Sequence, residues 1–245
     1  MPLDDTLRSL LIAQGPSGYE TAPSAAWRTA AESFADDVSI DVMGNLTARV
    51  PGTASDSPTL AIVGHIDEIG LIVTHIDDKG RLFFIGVGGW DPPVLVSQRV
   101  DVTTSNGVVQ GVIGRKAIHL LEEDERKKGV ELKELYIDIG ARDGDEAKAR
   151  VRVGDVAVIA GEPVDLPNDR VVSRALDNRL GAYIALEAAR LVAEGGAAPW
   201  DVVAAVAVQE EVGLNGARAL AHGLRPDVAI VVDVTHETDT LGVDP

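Results

Sequence analysis

Cysteine is absent from this chain of 245 residues. Disulfide scaffolds and metal sites built on thiolates are thereby excluded. The opening stretch MPLDDTLRSLLIAQG carries acids where a secretory signal would carry Lys or Arg, so the expected setting is cytoplasmic. Aromatic residues are scarce, at 4% of the chain, which leaves little to stack against a polysaccharide. Positive charge is short as well: 22 Lys and Arg stand against 39 Asp and Glu, a formal net charge of −17. That excess repels phosphate backbones and anionic lipid, which excludes nucleic acid and membrane surfaces as expected partners. The densest basic cluster, Arg126-Lys127-Lys128, sits among acids and reads as a solvated turn. Every apolar run is broken by charge or Gly well before the roughly eighteen residues of a membrane span.

What the sequence does hold is 45% hydrophobic residues in two textures, enough for one large core or two smaller ones. DDTLRSLLIAQG and ETAPSAAWRTAAESFAD read as helices, the second with Trp27, Ala30, Ala31 and Phe34 on one face. SIDVMGNLTARV reads as two strands around Gly44-Asn45, and TLAIVGHID as an apolar strand running into polar residues. From about residue 70 to 165 the segments become short, alternating and punctuated by Gly, with hairpin signals at Asp78-Lys79-Gly80 and Ser105-Asn106-Gly107. After Pro167 helix and strand alternate again: DNRLGAYIALEAARLVAEGG, DVVAAVAVQ, GLNGARALAHG, DVAIVVDVT. Such alternation predicts an α/β layer with parallel strands, interrupted by a small all-β insertion. The expected boundaries are 1–69 and 166–245 for the α/β domain and 70–165 for the insertion.

Three apolar strands end in acid or His, at GHID, VQEE and VVDVTH, and open α/β sheets bind ligands at the carboxyl ends of their strands. His65 and Asp67, two residues apart, project from one face of an extended chain, which suits a metal-binding imidazole fixed by a carboxylate. Asp177, before a long helix, reads either as an N-cap or as a carboxylate bridging two ions. Glu210 and Glu211 are adjacent, so in a regular strand they would face opposite ways. They either lie beyond the strand end, one as a metal ligand and the other as a general base, or serve as first-turn acids of the next helix. Asp233 closes the last apolar strand, with His236 and Asp239 shortly after. Carboxylate-rich ligation with few His and no Cys suits a pair of Zn²⁺, Co²⁺ or Mn²⁺ ions roughly 3.5 to 4 Å apart, used for hydrolysis.

In their order, GHIDEIG, ALDNRLGAY, VQEEVGLNGA and VVDVTH, with a β insertion between the first two, resemble the dinuclear metallo-aminopeptidases of the glutamyl and tetrahedral (TET) aminopeptidase family, some of whose members are labelled cellulase M or endoglucanase. The resemblance implies a mixed-sheet zinc-peptidase domain, phosphorylase/hydrolase-like, interrupted by a PDZ-like or barrel-like dimerisation domain. It also implies a role for each residue. His65 and Asp233 would ligate the first metal, Asp177 would bridge both, and Glu211 would ligate the second. Glu210 would be the general base and Asp67 the residue that orients His65. The implied activity is removal of N-terminal residues from peptides with two divalent ions, Zn²⁺ or Co²⁺ or else Mn²⁺, in a homodimer that builds a homododecamer.

Members of that family continue beyond the equivalent of DTLGVDP and carry a further His there, so the resemblance implies that the C-terminal part is lacking. His75 and His119 fall in the insertion and His222 at a helix end, which leaves His236 as the best-placed substitute. The alternative is a silent assembly or peptide-binding relative without the second metal. An endoglucanase reading lacks a carboxylate pair separate from the metal ligands.

Overall fold

The computed structural model describes residues 3–123, 127–196, 198–238 and 242; Arg126 and Asp239 lie outside them. Helices α1 (Asp5–Ile12) and α2 (Thr21–Ala31) lead into strands β1 (Asp37–Ile40), β2 (Leu46–Val50) and β3 (Thr59–His65). Next come β4 (Gly70–Ile76), β5 (Arg81–Val87), the single turn α3 (Pro92–Leu95), β6 (Arg99–Thr104), β7 (Gly107–Gly114), β8 (Tyr136–Asp138), α4 (Gly144–Arg150) and β9 (Val156–Ile159). The chain then forms β10 (Val164–Leu166), β11 (Arg170–Val172), α5 (Leu176–Glu194), β12 (Asp201–Ala207), α6 (Asn215–Leu224) and β13 (Val228–Val231). Contacts divide it into two units, residues 1–67 with 163–245, and residues 68–162.

In the first unit the sheet runs β1-β2-β12-β3-β13, with β12, β3 and β13 parallel and β1 and β2 antiparallel. The sequence DVVAAVA of β12 lacks alternation because this strand is central and buried from Val202 onward. Helix α5 crosses β3 so closely that a Cβ on Gly64 would lie 2.5 Å from the Gly181 carbonyl carbon and the Ala182 nitrogen. Trp27 of α2, fully buried, packs in the same core and donates its Nε1–H to the Ala182 carbonyl at 3.2 Å. Helix α1 is capped at its start by Asp4, which accepts from the Thr6 and Leu7 amides. Its far end is held by the buried guanidinium of Arg179, which donates to the carbonyls of Leu10 (2.6 Å) and Ala13 (3.0 Å). At the opposite edge of the sheet β13 is exposed along its length, Val228, Ile230 and Val231 included.

The second unit is a closed barrel, β4-β5-β8-β7-β6-β9, filled by Leu71, Val73, Leu82, Phe84, Val100, Val102, Ile113 and Ile137. Its hairpins turn at Asp77–Gly80 and at Ser105-Asn106, where the glycines take left-handed φ values of 82° and 113°. It is not purely β. Helix α4 forms because Asp143 accepts the Glu146 amide at 2.9 Å, acids fill the first turn, and Lys148 and Arg150 sit in the last. The small hairpin β10–β11 is also outside what the alternation predicts; it turns through Asn168 and Asp169, both left-handed. Among the described residues no helix is long and apolar enough to cross a membrane.

The close crossing of β3 and α5 generates a paired expectation. Gly64→Ala should destabilise the protein by about 1–3 kcal/mol, because backbone rather than a movable side chain blocks the new methyl. Gly223→Ala, in α6 with open space around it, should stabilise by roughly 0.5–1 kcal/mol. Urea denaturation midpoints of the two variants, moving in opposite directions, check both.

Candidate metal centre

Parallel register brings the strand ends together. His65, the last residue of β3, is paired with Ala207, the last of β12, and Val63 is paired with Val231 of β13. The ladder continues for one more bond, from the Val232 amide to the Val63 carbonyl at 2.9 Å, so Asp233 arrives beside His65. Glu210 and Glu211 follow β12 after a reversal at Gln209, whose φ is 54°. They therefore lie beyond the strand, and the opposite-face constraint of extended chain no longer applies to them. They are not first-turn acids of α6 either, since that helix starts at Asn215.

The reversal is held by Asp67, which is fully buried. Its Oδ1 accepts the Glu210 amide at 3.0 Å, and its Oδ2 accepts the Glu211 amide at 3.1 Å and the Ser17 hydroxyl at 2.6 Å. The same Oδ1 lies 3.3 Å from His65 Nδ1, near enough for charge to matter but off the line of a hydrogen bond. On the other side of the ring, His65 Nε2 is 2.9 Å from Asp177 Oδ1 and 3.8 Å from Glu210 Oε2.

Asp177 is not the N-cap of α5. Neither it nor Asn178 has helical backbone angles, and the capping is done by Asn178, whose Oδ1 accepts the Gly181 amide at 2.9 Å. The Asn178 Nδ2 donates to the Val232 carbonyl at 2.8 Å, so one buried amide ties the Asp177 turn to the Asp233 strand end. Gly181 permits this approach; a Cβ there would lie 2.3 Å from Asn178 Oδ1 and 2.6 Å from the Val232 carbonyl oxygen. With the carboxylate of Asp177 free of capping, its side chain is 58% exposed and open to a ligand.

Two groups of donors meet at His65: one with Asp177 and Asp233, the other with Glu210 and Glu211, each with ligand atoms within 4.8 Å of one another. Either group could hold a metal ion. His236 belongs to neither, nor does any histidine other than His65 among the described residues. The donors are imidazole and carboxylate, which suit Zn²⁺, Co²⁺ or Mn²⁺. Their charges are also crowded. Burial pushes the Glu211 carboxyl up to about 7, with Asp177 adding to it, and the same two influences act on Glu210. Burial lowers His65, but Asp67, Glu210 and Asp177 outweigh it and hold the imidazole up to about 9. Asp67 moves the other way: burial raises it, yet His65, Ser17 and the Glu210 amide bring it below the usual carboxylate range. A bound dication would answer this excess of negative charge.

Sequence reasoning passed over Ser17, Glu20, Asn45 and Asn178. Asn178 carried a usable signal, because Asn beside Asp at a helix start offers two capping candidates rather than one. The other three lie far from the motifs in sequence: Glu20 and Asn45 accept backbone amides, and Ser17 donates its hydroxyl to Asp67.

A profile of the family described as M42 glutamyl aminopeptidase matches residues 44–245. The chain belongs to that family. Among its M42 relatives, a lysyl aminopeptidase of Pyrococcus furiosus is 33% identical over 234 residues, 94% of this chain and 66% of the relative. A TET aminopeptidase structure from the marine sediment archaeon Thaumarchaeota archaeon SCGC AB-539-E09 matches with a TM-score of 0.93 at 40% identity, covering 98% of this chain and 67% of that one. The TET1 peptidase of Pyrococcus horikoshii, described as assembling into a tetrahedron or a large octahedral shell, gives 0.85 at 34% identity over 98% and 72%. The fold is thus the M42/TET aminopeptidase fold, mixed α/β with a six-stranded barrel. The chain spans about two thirds of the length of these relatives.

The crowded charges fix a pH dependence. Metal needs His65 neutral, whereas in the metal-free protein His65 keeps its proton up to about pH 9, so binding at neutral pH must release it. Zn²⁺ affinity should therefore rise by up to about tenfold per pH unit from 7 to 9 and flatten above, with a steeper slope below 7 where Glu211 also gives up a proton. Calorimetric titration in buffers of different ionisation enthalpy measures the protons released; none released at pH 7 would contradict this.

Proposed function

We propose that this chain carries the metal centre of an aminopeptidase that removes N-terminal residues from peptides. The observation that supports the reading best is the convergence of two donor groups on one buried imidazole, with Glu210 beside it, in a chain of the M42 family. In this reading two divalent ions, Zn²⁺ or Co²⁺ or else Mn²⁺, would be held by His65, Asp177, Asp233 and Glu211. His65 and Asp233 would serve the first, Glu211 the second, and Asp177 both. Ions bound there would supply Lewis-acid polarisation of the peptide carbonyl and a more acidic water.

The remaining chemistry belongs to the protein. Glu210 takes a proton from the attacking water as its oxygen bonds to the carbonyl carbon. The same carboxyl returns the proton to the leaving nitrogen as the C–N bond breaks, releasing the N-terminal residue and a shortened peptide. Burial raises its carboxyl above the usual carboxylate range, the direction that favours a group which must give back the proton it takes. Asp67 stays ionised and keeps the His65 ring and the Glu210 and Glu211 amides in place.

The reading extends to assembly. The TET relatives support self-association, with residues 70–165 as a barrel-like dimerisation domain inserted in a zinc-peptidase domain, and with a dodecamer as the expected particle. A cytoplasmic setting is supported by the lack of cysteine.

Two substitutions separate ligand from base. Glu210→Gln should lower peptide hydrolysis by about 10²–10⁴-fold while leaving Zn²⁺ binding in place. Asp177→Asn should lose metal and activity together. Hydrolysis of aminoacyl chromogenic substrates, measured alongside metal content, tests this; a Glu210→Gln variant with wild-type turnover would rule out the assignment of the base.

A further inference from the structure

Four consecutive amides beyond β12 are each accepted by a side-chain oxygen. Val208 N–H goes to Asn45 Oδ1 (3.0 Å), Gln209 N–H to Glu20 Oε1 (3.1 Å), Glu210 N–H to Asp67 Oδ1 (3.0 Å) and Glu211 N–H to Asp67 Oδ2 (3.1 Å). Asn45 and Asp67 anchor the ends of this run, and Glu20 holds its middle. Gln209 is the residue that matters there, because it alone of the four is left-handed, at a φ of 54°. A non-glycine residue in that region costs on the order of 1 kcal/mol or more and persists where its surroundings hold it. Without the reversal the strand would continue, and Glu210 and Glu211 would face opposite sides of the sheet.

Glu20 is built for that task. Only 8% of it is exposed, and the same Oε1 also accepts the Gly18 amide at 2.7 Å, so the carboxylate is fixed from its own segment before it reaches Gln209. It stands at the start of α2, which is locked into the core by Trp27. Three residues earlier Ser17 donates to Asp67. The 17–20 segment thus grips both carboxylate-held parts of the loop from one side.

We propose that Glu20 is a positioning residue for the metal centre: by fixing the Gln209 amide it sets the reversal that turns Glu210 and Glu211 toward His65. The inference rests on the aminopeptidase reading of the site, and a carboxylate is used because charge-assisted bonds from amides are stronger than neutral ones.

The test compares Zn²⁺ affinity in the unsubstituted chain, in Glu20→Met, which keeps volume but offers no oxygen, and in Glu20→Gln, which keeps an acceptor. The Met variant should bind Zn²⁺ about 10–100-fold more weakly, and the Gln variant within a few-fold of the unsubstituted chain. A Met variant that melts earlier yet binds Zn²⁺ unchanged would reduce Glu20 to a packing role and overturn the proposal. Should Glu20→Met fail to fold, Glu20→Asp, which withdraws the carboxylate by one methylene, is put to the same criterion. Hydrogen exchange at the Gln209 amide in metal-free protein is read independently of metal. It should quicken about tenfold or more in Glu20→Met, and an unchanged rate overturns the clamp. If the unsubstituted chain binds no Zn²⁺, the reading of the site fails, while the exchange rate still decides the clamp.

Discussion

Asp67 sits wholly out of solvent as an anion, and what keeps it there organises the residues around it. A buried carboxylate without partners would cost several kcal/mol, and the three donors from Ser17, Glu210 and Glu211, each worth about 1.5–3 kcal/mol against a charged acceptor, offset that cost. Those donors come from two separate parts of the chain, and Asp67 itself from a third. Ionising Asp67 is therefore inseparable from bringing the segment after α1, the end of β3 and the loop after β12 to one place. The arrangement of His65 beside Glu210 follows from this exchange of charge for geometry.

The sheet supplies the other half of the arrangement. Because β3, β12 and β13 are parallel and in register, their carboxyl ends are level, and each strand delivers its first polar residues at the same height. Gly64 and Gly181 let α5 lie close enough for Asn178 to bridge to Val232, which carries Asp177 to the opposite side of the imidazole from Asp67. Acidic groups that would repel one another are thus held together by backbone contacts made elsewhere. Burial first, and that repulsion after it, raises the carboxyls of Glu210 and Glu211.

Much of this was visible in the residues. The unalternating VVAAVA marked a buried strand, the Gly-punctuated middle marked an all-β unit, and strand-terminal acids marked the candidate site, because each follows from short-range periodicity; that the all-β unit is a barrel came only from the family resemblance. Adjacency of Glu210 and Glu211 even required a break in the strand, and the left-handed Gln209 is where it occurs. What stayed hidden depends on long-range partners. Nothing near Glu20 in sequence announces that it accepts an amide 189 positions away, nor near Asn45 that it meets Val208. A cap stayed open as one of the two readings of Asp177 because capping is local, whereas the neighbour that does cap, Asn178, is chosen by its second bond to Val232.

The most direct measurement of the central claim, that these carboxylates converge on His65 to hold metal, is anomalous diffraction from crystals soaked in Zn²⁺ at about pH 8. The account expects two peaks roughly 3.5 to 4 Å apart, one against His65, Asp177 and Asp233 and the other against Glu211, with Asp177 shared. An empty centre, or zinc bound elsewhere on the chain while the His65 carboxylates keep their present positions, would contradict it.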